Sequence, residues 1–344
     1  MKDEKFKIII VGAGAISRSA HVPAILASPM AELAGVVDPD VDRASALCRD
    51  YGVNPRVAAD VADISGTFDG AIVAAPNDLH ASISTSLVEQ GIPVLVEKPV
   101  ATALAAAQEL TALAKSRNVV VAVGYHTRHS GACRILKYAV ESEHFGRPIR
   151  FAHQDGSRGG WSPLSGYNLD AQRAGGGVLV TTGTHFLDRL VWLWGTASDV
   201  SLRDNADGGP ESHCIARFRF HHDNYDVSGA AIFSKVAALS ERTVVETTDG
   251  LLIMPSDAAE TLTFRPHRDP NLEYEVRLPG QRNDPRSLYQ RELEDFIVAC
   301  RSGASPTVDA AVGTQSLELL ARLYASRKSL RVSVGATATE NVDA

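Results

Sequence analysis

The first 124 residues alternate short apolar runs with longer stretches in which apolar residues recur every three or four positions. The short runs are rich in Val and Ile, which is typical of strands buried on both faces of a parallel sheet. The longer stretches predict helices that cross over between those strands. We predict strands at about 6–11, 33–38, 56–57, 68–75, 92–96 and 119–123, and helices at about 17–28, 41–51, 80–90 and 103–116. This order predicts a doubly wound parallel sheet in an N-terminal domain of residues 1–124.

Beyond residue 124 the pattern changes to strict alternation. Residues 214–220 place Ala216, Phe218 and Phe220 on one face and two arginines on the other, which predicts a half-buried antiparallel strand. An Asp-Gly pair at 249–250 predicts a hairpin turn. Further strands are predicted at 225–233, 243–247, 251–253, 261–265 and 272–278, a turn at 221–224, and amphipathic helices around 293–300 and 317–324. We assign residues 125–333 to a second α/β domain and residues 334–344, which lack an apolar pattern, to a flexible tail.

Composition narrows the classes of function. The net charge of -7 and the lack of a basic block argue against a nucleic-acid surface. No apolar run approaches membrane-spanning length, and the N-terminus has no signal-type segment. The four cysteines are scattered without Cys-x-x-Cys spacing, so neither a zinc site nor a disulfide framework is indicated. These features predict a reduced, cytoplasmic protein that acts on a small molecule.

A glycine-rich turn follows the first strand. Residues 12–17 read Gly-Ala-Gly-Ala-Ile-Ser. Gly12 suits a tight turn, Gly14 lets the backbone approach a pyrophosphate, and the following helix N-terminus favours phosphate. Asp38 ends the second strand, where a carboxylate accepts hydrogen bonds from ribose hydroxyls and repels a 2′-phosphate. The sequence therefore predicts a dinucleotide site that prefers NAD over NADP.

A second polar group stands at the end of the strand at 92–96, which is followed by Glu97-Lys98-Pro99. In open α/β sheets ligands bind beyond the carboxyl ends of the strands. A lysine partly removed from water there loses some of its preference for the charged form, as a proton-transfer group near neutral pH requires. These residues alone leave open the alternative of a surface lysine at a strand end.

These motifs recur in one family. The turn at Gly12 and Gly14, Asp38, Pro76-Asn77 with His80, Glu97-Lys98-Pro99, Gly124 and the segment 175–188 resemble, in order and spacing, the glucose-fructose oxidoreductase, inositol dehydrogenase and rhizopine catabolism (Gfo/Idh/MocA) family. The resemblance implies a Rossmann domain that carries NAD(P), a second domain with a large, mostly antiparallel open sheet, and chemistry on sugars or polyols between them. It implies late helices that lie against the Rossmann domain. The implied cofactor-binding residues are Gly12, Gly14, Ala15, Ile16, Asp38, Pro76, Asn77, His80, Glu97 and Lys98.

The resemblance also implies catalytic residues, with one departure from the family pattern. His185 occupies the position of the family's catalytic histidine, and Thr181 stands where relatives have an aspartate. A threonine can hydrogen-bond, but it holds no charge that would offset a lysine. We therefore expect Lys98 to deprotonate more easily and His185 to be the acid/base. The expected reaction is hydride transfer between nicotinamide and a carbinol or carbonyl carbon, with Lys98 polarising the reacting oxygen.

Several polar residues are candidates for the substrate side. Tyr125, His126 and Arg128 follow the last predicted Rossmann strand and should face the cleft. Arg128 would grip a carboxylate or phosphate, or else form an interdomain ion pair. Trp161 or Tyr167 would offer an aromatic face to a sugar. Asp188 would touch the substrate or make a structural salt bridge. The histidine pairs 126/129 and 221/222 lack convergent partners, so no metal site is expected.

Two other functions remain open. A protein of this fold without turnover would be an NAD-sensing regulator, and the loss of the aspartate at Thr181 fits that function. An NAD-using glycosidase of the same superfamily would borrow and return a hydride. The sequence does not name the sugar or polyol. One face of the second sheet could contact another subunit, so a homodimer or homotetramer is expected.

Overall fold

The computed structural model describes residues 4–64, 68–159, 166–222, 224–278, 284 and 286–330. Trp161 and the tail predicted at 334–344 lie outside these residues. All four cysteines are free. Within the described ranges, no helix is both long and apolar enough to cross a membrane.

The N-terminal part is a six-stranded sheet in the order β3-β2-β1-β4-β5-β6, and every neighbouring pair is parallel. Its strands are β1 (Phe6–Val11), β2 (Ala31–Val37), β3 (Arg56–Ala58), β4 (Gly70–Val73), β5 (Val94–Val96) and β6 (Val121–Val123). The helices between them are α1 (Val22–Ala27), entered through a π-helical turn at Ser17–His21, α2 (Val41–Asp50), α3 (His80–Glu89) and α4 (Leu104–Arg117). The strand order reverses between β1 and β4, so a crevice opens at their carboxyl ends.

The predicted doubly wound sheet is confirmed. The strand at Phe6–Val11 has the predicted bounds, and β4 and β5 are buried at every residue. Burial on both faces explains why their sequences are continuous apolar runs rather than alternating ones. The predicted strand at 68–75 is shorter than expected, since regular pairing covers only Gly70–Val73.

The second sheet has nine strands in the order β14-β13-β12-β11-β7-β10-β9-β8-β15. They are β7 (Pro148–Gly156), β8 (Asp199–Asp204), β9 (His213–His222), β10 (Tyr225–Ser234), β11 (Leu239–Thr247), β12 (Gly250–Met254), β13 (Leu262–Pro266), β14 (Tyr274–Val276) and β15 (Arg327–Ser329). Only the β7/β10 and β8/β15 pairs are parallel. The helices of this half are α5 (Gly131–Ser142), α6 (Ala171–Ala174) and α7 (Thr184–Trp194), and the chain ends with α8 (Leu288–Ser302) and α9 (Ala310–Ala325). The mixed, mostly antiparallel sheet is as predicted.

Some predicted elements need correction. The alternation at 272–278 yields only the three residues of β14, and Leu272 lies before it, 42% exposed. Because β14 is an edge strand, it has no fully buried residue: Val276 and Leu278 are half-buried against the core, whereas Leu272 and Tyr274 are exposed. The turn predicted at 221–224 begins later, since β9 runs to His222. The strand β7 and the helix α5 were not predicted.

The late helices join the two sheets. Leu293, Phe296 and Ile297 of α8 are buried with residues of β1 in one core, and the Phe6 and Phe296 rings meet edge to face at 6.0 Å. Helix α9 packs against α4, α7 and β6 through its buried leucines. These contacts hold the second sheet close to the carboxyl ends of the first sheet, and a cleft forms between them.

Candidate active site

The glycine turn after β1 has two glycines with different roles. Gly12 has φ +106°, and a Cβ there would come within 2.5 Å of the Ala74 carbonyl oxygen. A Cβ at Gly14 would meet nothing within 4 Å. The hydroxyl of Ser17 donates to the Gly12 carbonyl oxygen at 2.5 Å and closes the turn. Gly12 is therefore required by the fold, whereas Gly14 faces open space that a ligand can fill.

Asp38 lies beside this turn, at the end of β2. Its carboxylate accepts hydrogen bonds from the backbone N–H groups of Ala13 at 2.7 Å and Asp40 at 2.9 Å, and from Arg43 Nη2 at 2.6 Å. Burial raises the pKa of Asp38, but the Arg43 ion pair and the backbone hydrogen bonds outweigh it and leave that pKa below its ordinary value. Asp38 is therefore charged, and Arg43 is a cation beside it that the sequence did not single out.

A cavity of about 440 Å³ connects the glycine turn with the second half of the chain. All ten residues that were predicted to bind the cofactor line this cavity, and so do Tyr167, Thr181 and His185. The structure thus brings the predicted cofactor residues and the predicted catalytic residues into one space.

Two side chains of the Pro76–His80 segment shape the cavity wall through backbone contacts. The amide Nδ2 of Asn77 donates to the Ala174 carbonyl oxygen at 2.8 Å and so joins the two halves of the chain. The His80 ring nitrogens lie 2.7 Å from the Pro99 carbonyl oxygen and 2.8 Å from that of Ala75. Burial lowers the pKa of His80, and a neutral ring donates to only one of these oxygens.

Glu97 is a buried carboxylate at the cavity edge. Its Oε1 lies 2.9 Å from His21 Nε2, and its Oε2 accepts the backbone N–H of Lys98 at 3.2 Å. Burial raises the pKa of Glu97, but the hydrogen bond with His21 and the nearby charges of His21, Lys98 and His126 outweigh burial and bring that pKa down to about 2. Glu97 is therefore an anion next to Lys98 at neutral pH.

Lys98 is anchored by the segment before α7. Its Nζ donates to the carbonyl oxygen of Thr181 at 2.8 Å. Burial lowers the pKa of Lys98, the charge of Glu97 opposes this shift, and that of Lys235 adds to it. The Thr181 hydroxyl oxygen is buried and has no hydrogen-bond partner among the described residues. Thr181 thus meets the lysine through its backbone, and its side chain adds no charge.

His185 lies in the first turn of α7. Burial lowers its pKa well below the ordinary value, and the charges of Lys98, His126 and Arg189 lower it further. Its Nδ1 is buried without a partner in the described part of the chain. His185 is therefore neutral near pH 7, as a group that accepts a proton must be.

The prediction is wrong for two of the residues that were expected on the substrate side of the cleft. Tyr125 is 1% exposed and Arg128 is 4% exposed, and neither lines the cavity. Arg128 donates through Nε and Nη2 to the Asp188 carboxylate at 2.6 and 2.8 Å. Arg128 and Asp188 thus form a buried ion pair, which is the structural role that the sequence left open for each of them. Tyr167 lines the cavity, and its contact with a substrate stays a prediction.

Two residues at the site, His21 and Tyr289, were not predicted, whereas His126 was expected to face the cleft and does not line the cavity. His126 stacks on Tyr289 with the ring centroids 4.1 Å apart, and the His185 ring stands edge on to it at 4.6 Å. His21 meets Tyr289 edge to face at 5.5 Å. The sequence around His21 gives no signal of this contact, whereas His126 follows the last Rossmann strand, which is where a cleft residue is expected. Among the described residues, no group of three His, Cys, Asp or Glu side chains could hold a metal ion.

The sequence matches two profiles of one family. Residues 6–125 match the oxidoreductase family with an NAD-binding Rossmann fold, and residues 137–334 match its C-terminal α/β domain. A 1,5-anhydro-D-fructose reductase of Ensifer adhaerens is 28% identical over 323 residues, which cover 90% of this chain and 92% of the relative. The rhizopine catabolism protein MocA of Rhizobium meliloti is 23% identical and is covered to 93%, against 92% of this chain.

Solved structures share the fold. Levoglucosan dehydrogenase in complex with NADH and levoglucosan superposes with a TM-score of 0.82 at 20% identity, covering 94% of this chain and 97% of that one. The WlbA dehydrogenase of Bordetella pertussis in complex with NADH and UDP-GlcNAcA superposes with a TM-score of 0.78 at 21% identity, covering 94% and 96%. Since the two profiles together span nearly the whole chain, the protein belongs to the Gfo/Idh/MocA family of oxidoreductases, with an NAD-binding Rossmann fold followed by a C-terminal α/β domain.

Proposed function

We propose that this protein is an NAD-dependent dehydrogenase or reductase that acts on a CH–OH group, or the corresponding carbonyl, of a sugar, polyol or sugar derivative. The observation that carries the proposal is that Lys98 and His185 line the same cavity as the glycine turn and Asp38. A group that polarises an oxygen and a group that moves its proton thus stand within one space with a dinucleotide loop.

The residues of the cavity fit a nicotinamide dinucleotide. The space in front of Gly14 leaves room for a pyrophosphate, and the charged Asp38 can accept hydrogen bonds from ribose hydroxyls. When bound, the dinucleotide would supply or accept the hydride. We infer NAD as the preferred cofactor, because the Asp38 carboxylate repels a 2′-phosphate. Arg43 beside it partly offsets that charge, so we expect a partial rather than an absolute preference for NAD over NADP.

Lys98 and His185 would divide the work on the substrate oxygen. Lys98, held at the Thr181 carbonyl, donates a hydrogen bond to the hydroxyl or carbonyl oxygen and stabilises negative charge there. His185 is neutral and accepts the hydroxyl proton in oxidation or returns it in reduction. Thr181 adds no charge, so Glu97 is the nearby anion that keeps Lys98 from losing its proton too readily.

Relatives support the substrate class. Those with the names 1,5-anhydro-D-fructose reductase and levoglucosan dehydrogenase act on sugar derivatives. Tyr167 on the cavity wall offers an aromatic face of the kind that packs on a sugar ring. We infer that the substrate lies between Tyr167 and the pair formed by Lys98 and His185.

We further propose that the protein is a homodimer or homotetramer through the outer face of the second sheet. Adjacent strands place apolar side chains there, away from the helices: Ala152 of β7, Ala230 and Ile232 of β10, Val244 of β11 and Ile253 of β12. Ala152 is exposed and the others are half-buried. A continuous patch of this kind favours contact with a second copy.

The proposed function is tested by following absorbance at the reduced-nicotinamide band. Purified protein is mixed with NAD or NADP and a panel of sugars, inositols, sugar acids and nucleotide sugars, and the reverse reaction is started with NADH and the corresponding carbonyls. Turnover with one class, faster with NAD, is expected. No turnover with tight NAD binding by calorimetry would instead support the NAD-sensing or glycosidase function, and absence of binding would contradict all three.

A further inference from the structure

The helix that carries His185 begins without a capping side chain of its own. Helical backbone starts at Val178, continues through a π-helical turn at Leu179–Gly183 and becomes α7. The first N–H groups of a helix have no partner within it, and a Ser, Thr, Asp or Asn just before the helix usually accepts them. Here the residues at 175–177 are three glycines, which have no side chain to offer. The N–H groups therefore need an acceptor from elsewhere.

Glu211, which lies 34 positions beyond Gly177, is that acceptor. Its carboxylate accepts the N–H of Gly177 at 3.0 Å through Oε1 and at 3.1 Å through Oε2, and that of Leu179 at 3.1 Å through Oε1. Its backbone carbonyl oxygen accepts the N–H of Val178 at 2.8 Å. One residue thus binds three consecutive N–H groups at the start of the helical segment, where the helix dipole favours a carboxylate.

The carboxylate of Glu211 is itself held in place. Glu211 is 1% exposed, and the hydroxyl of Tyr324 at the end of α9 donates to its Oε1 at 2.8 Å. Nη2 of Arg327 in β15 lies 3.9 Å from its Oε2, and the Arg327 guanidinium also donates to the Asp204 carboxylate. The buried carboxylate therefore cannot turn away from the helix start without losing these partners.

The glycines give Glu211 and Tyr324 access to the backbone. A Cβ at Gly176 would clash with the Tyr324 hydroxyl oxygen, and a Cβ at Gly177 would clash with the Glu211 carbonyl oxygen. A side chain at either position would force these groups apart. The glycine run within the segment 175–188 thus leaves the space that the remote cap occupies.

The capped segment carries two contacts of the proposed reaction. The N–H of Thr181 donates to the Gly177 carbonyl oxygen at 3.0 Å, so the place of Thr181 follows from that of Gly177. The Thr181 carbonyl oxygen in turn accepts a hydrogen bond from Lys98 Nζ at 2.8 Å, and His185 lies about one turn further along the same segment. A displacement of the helix start would therefore move the acceptor of Lys98 and the ring of His185 together.

We propose that Glu211 is a positioning residue of the active site: by binding the start of the helical segment, it places the Thr181 carbonyl oxygen, which orients Lys98, and the ring of His185. This inference rests on the hydride transfer proposed above and adds a residue to it. Glu211 does not line the cavity and acts through the residues that do. A carboxylate suits this role because it offers two acceptor oxygens, whereas an amide of the same shape would turn a donor toward an N–H group.

The inference is tested with Glu211→Gln and Tyr324→Phe. Glu294→Gln is the matched control, because the Glu294 carboxylate is also buried and accepts several hydrogen bonds, but at the junction of α1 and α8. Glu211→Gln should lose about tenfold or more in kcat, since small misplacements of reacting groups are costly, with the substrate KM and the NAD Kd within about threefold of the parent. Tyr324→Phe should lose less, because the carboxylate keeps its backbone partners. Glu294→Gln should keep its kcat within about twofold even if its thermal stability falls as far.

The pH profile separates positioning from a general loss of stability. A hydrogen bond to an ammonium group favours its charged form, so a weaker bond from Lys98 to the Thr181 carbonyl lowers the pKa of Lys98. The limb of the kcat profile on which Lys98 loses its proton should therefore move to lower pH in Glu211→Gln and stay in place in Glu294→Gln. The other charged and titratable groups near Lys98 are unaltered in these variants: Glu97, Lys235, His126 and His185.

A second measurement needs neither substrate nor cofactor. The ¹³Cε signal of Lys98, identified by its loss in Lys98→Met, is titrated by NMR in the parent and in each variant. Its midpoint should fall in Glu211→Gln, fall less in Tyr324→Phe and stay at the parent value in Glu294→Gln. An unchanged midpoint in the first two variants, or a parent-like kcat in Glu211→Gln, would overturn the positioning role. If the parent turns over no substrate while the midpoint shifts, the proposed reaction fails and the positioning of Lys98 through Glu211 stands.

Discussion

Lys98 and His185 reach one cavity from different halves of the chain, and burial lowers the pKa of both. The chemistry of these individual residues depends on which of them are charged. Glu97 and Asp38 are anions with pKa values below their ordinary ones, and each is held by hydrogen bonds. The cavity therefore has an acidic end for ribose and a cationic lysine for the reacting oxygen.

Lys98→Met and His185→Asn should lower kcat by about 100-fold to 10,000-fold, because each removes a group that acts on the reacting oxygen. Both variants should still bind NAD, which calorimetry measures. Lys115→Met is a matched control, since Lys115 is exposed in the last turn of α4. Full turnover in either site variant would end the role assigned to that residue.

Asp38→Asn should weaken NAD binding by about tenfold and improve NADP binding, because it removes a charged acceptor and frees Arg43 to meet a 2′-phosphate. Fluorescence titration with each cofactor measures the change in preference. Adding Arg43→Ala to that variant should abolish the gain for NADP while leaving NAD binding as it was. Equal preference in the parent and Asp38→Asn would mean that Asp38 does not select the cofactor.

At the scale of elements, the turn between β1 and the first helix carries the cofactor site. Its tightness comes from close packing of Gly12 against the backbone after β4, and the hydroxyl of Ser17 closes it. The other end of the cavity is the start of α7 with its preceding π-helical turn at Leu179–Gly183, which directs both the Thr181 carbonyl and the His185 ring inward.

Gly12→Ala and Gly14→Ala should separate folding from binding. The first places a Cβ at 2.5 Å from a carbonyl oxygen in a positive-φ conformation, so a loss of about 1–3 kcal/mol in unfolding free energy is expected. The second meets open space, so its stability should stay within about 0.5 kcal/mol while NAD binding weakens. Urea unfolding and calorimetry give the two quantities. The reverse pattern would mean that Gly14, not Gly12, supports the turn.

At the scale of the molecule, helices from the end of the chain brace the first sheet, and side chains from both halves meet at the site. Glu97 is hydrogen-bonded to His21 within the first half, and Asn77 joins the two halves through the Ala174 carbonyl oxygen. The buried Arg128–Asp188 pair and the Ser316 hydroxyl tie α7 to α9 in the same region. The cavity thus depends on contacts between distant parts of the sequence.

Acid should remove the contribution of Glu97 to stability. Its pKa is about 2 in the folded protein against an ordinary 4.5, so the contribution is complete above pH 4.5 and is lost as the pH falls toward 2. A shift of this size corresponds to about 3 kcal/mol. The unfolding free energy of Glu97→Gln should therefore fall less steeply between these pH values than that of the parent. Asp226→Asn, at an exposed pair, is the control. Parallel pH curves would contradict the assignment.

Ile232→Glu should dissociate the proposed oligomer, because it places a charge in the apolar patch on the outer face of the second sheet. Light scattering after size exclusion measures the mass. Tyr138→Glu, on the exposed side of α5, should leave the mass unchanged. A parent that is monomeric at working concentration would rule out this interface.

The sequence by itself determined the first sheet, the character of the second and most of the cavity wall. Strands such as β4 are buried on both faces, so local composition alone marks them. The glycine turn, Asp38 and Lys98 were recognised because each lies at the end of a strand, where the order of the elements already dictates its place. Alternation of apolar and polar residues likewise predicted β9, whose inner face is buried and whose outer face is exposed to solvent.

Only the tertiary structure decided whether a residue belongs to the site when its contacts come from distant parts of the chain. The sequence predicts Arg128 as a cleft residue, but its ion pair with Asp188, 60 positions further along the chain, holds it away from the cavity. The sequence places His126 in a loop that faces the cleft, but only the packing of α7 and α8 brings His185 and Tyr289 against its ring. The order of residues along the chain does not predict such contacts, because burial and charge at these positions are set by packing between elements.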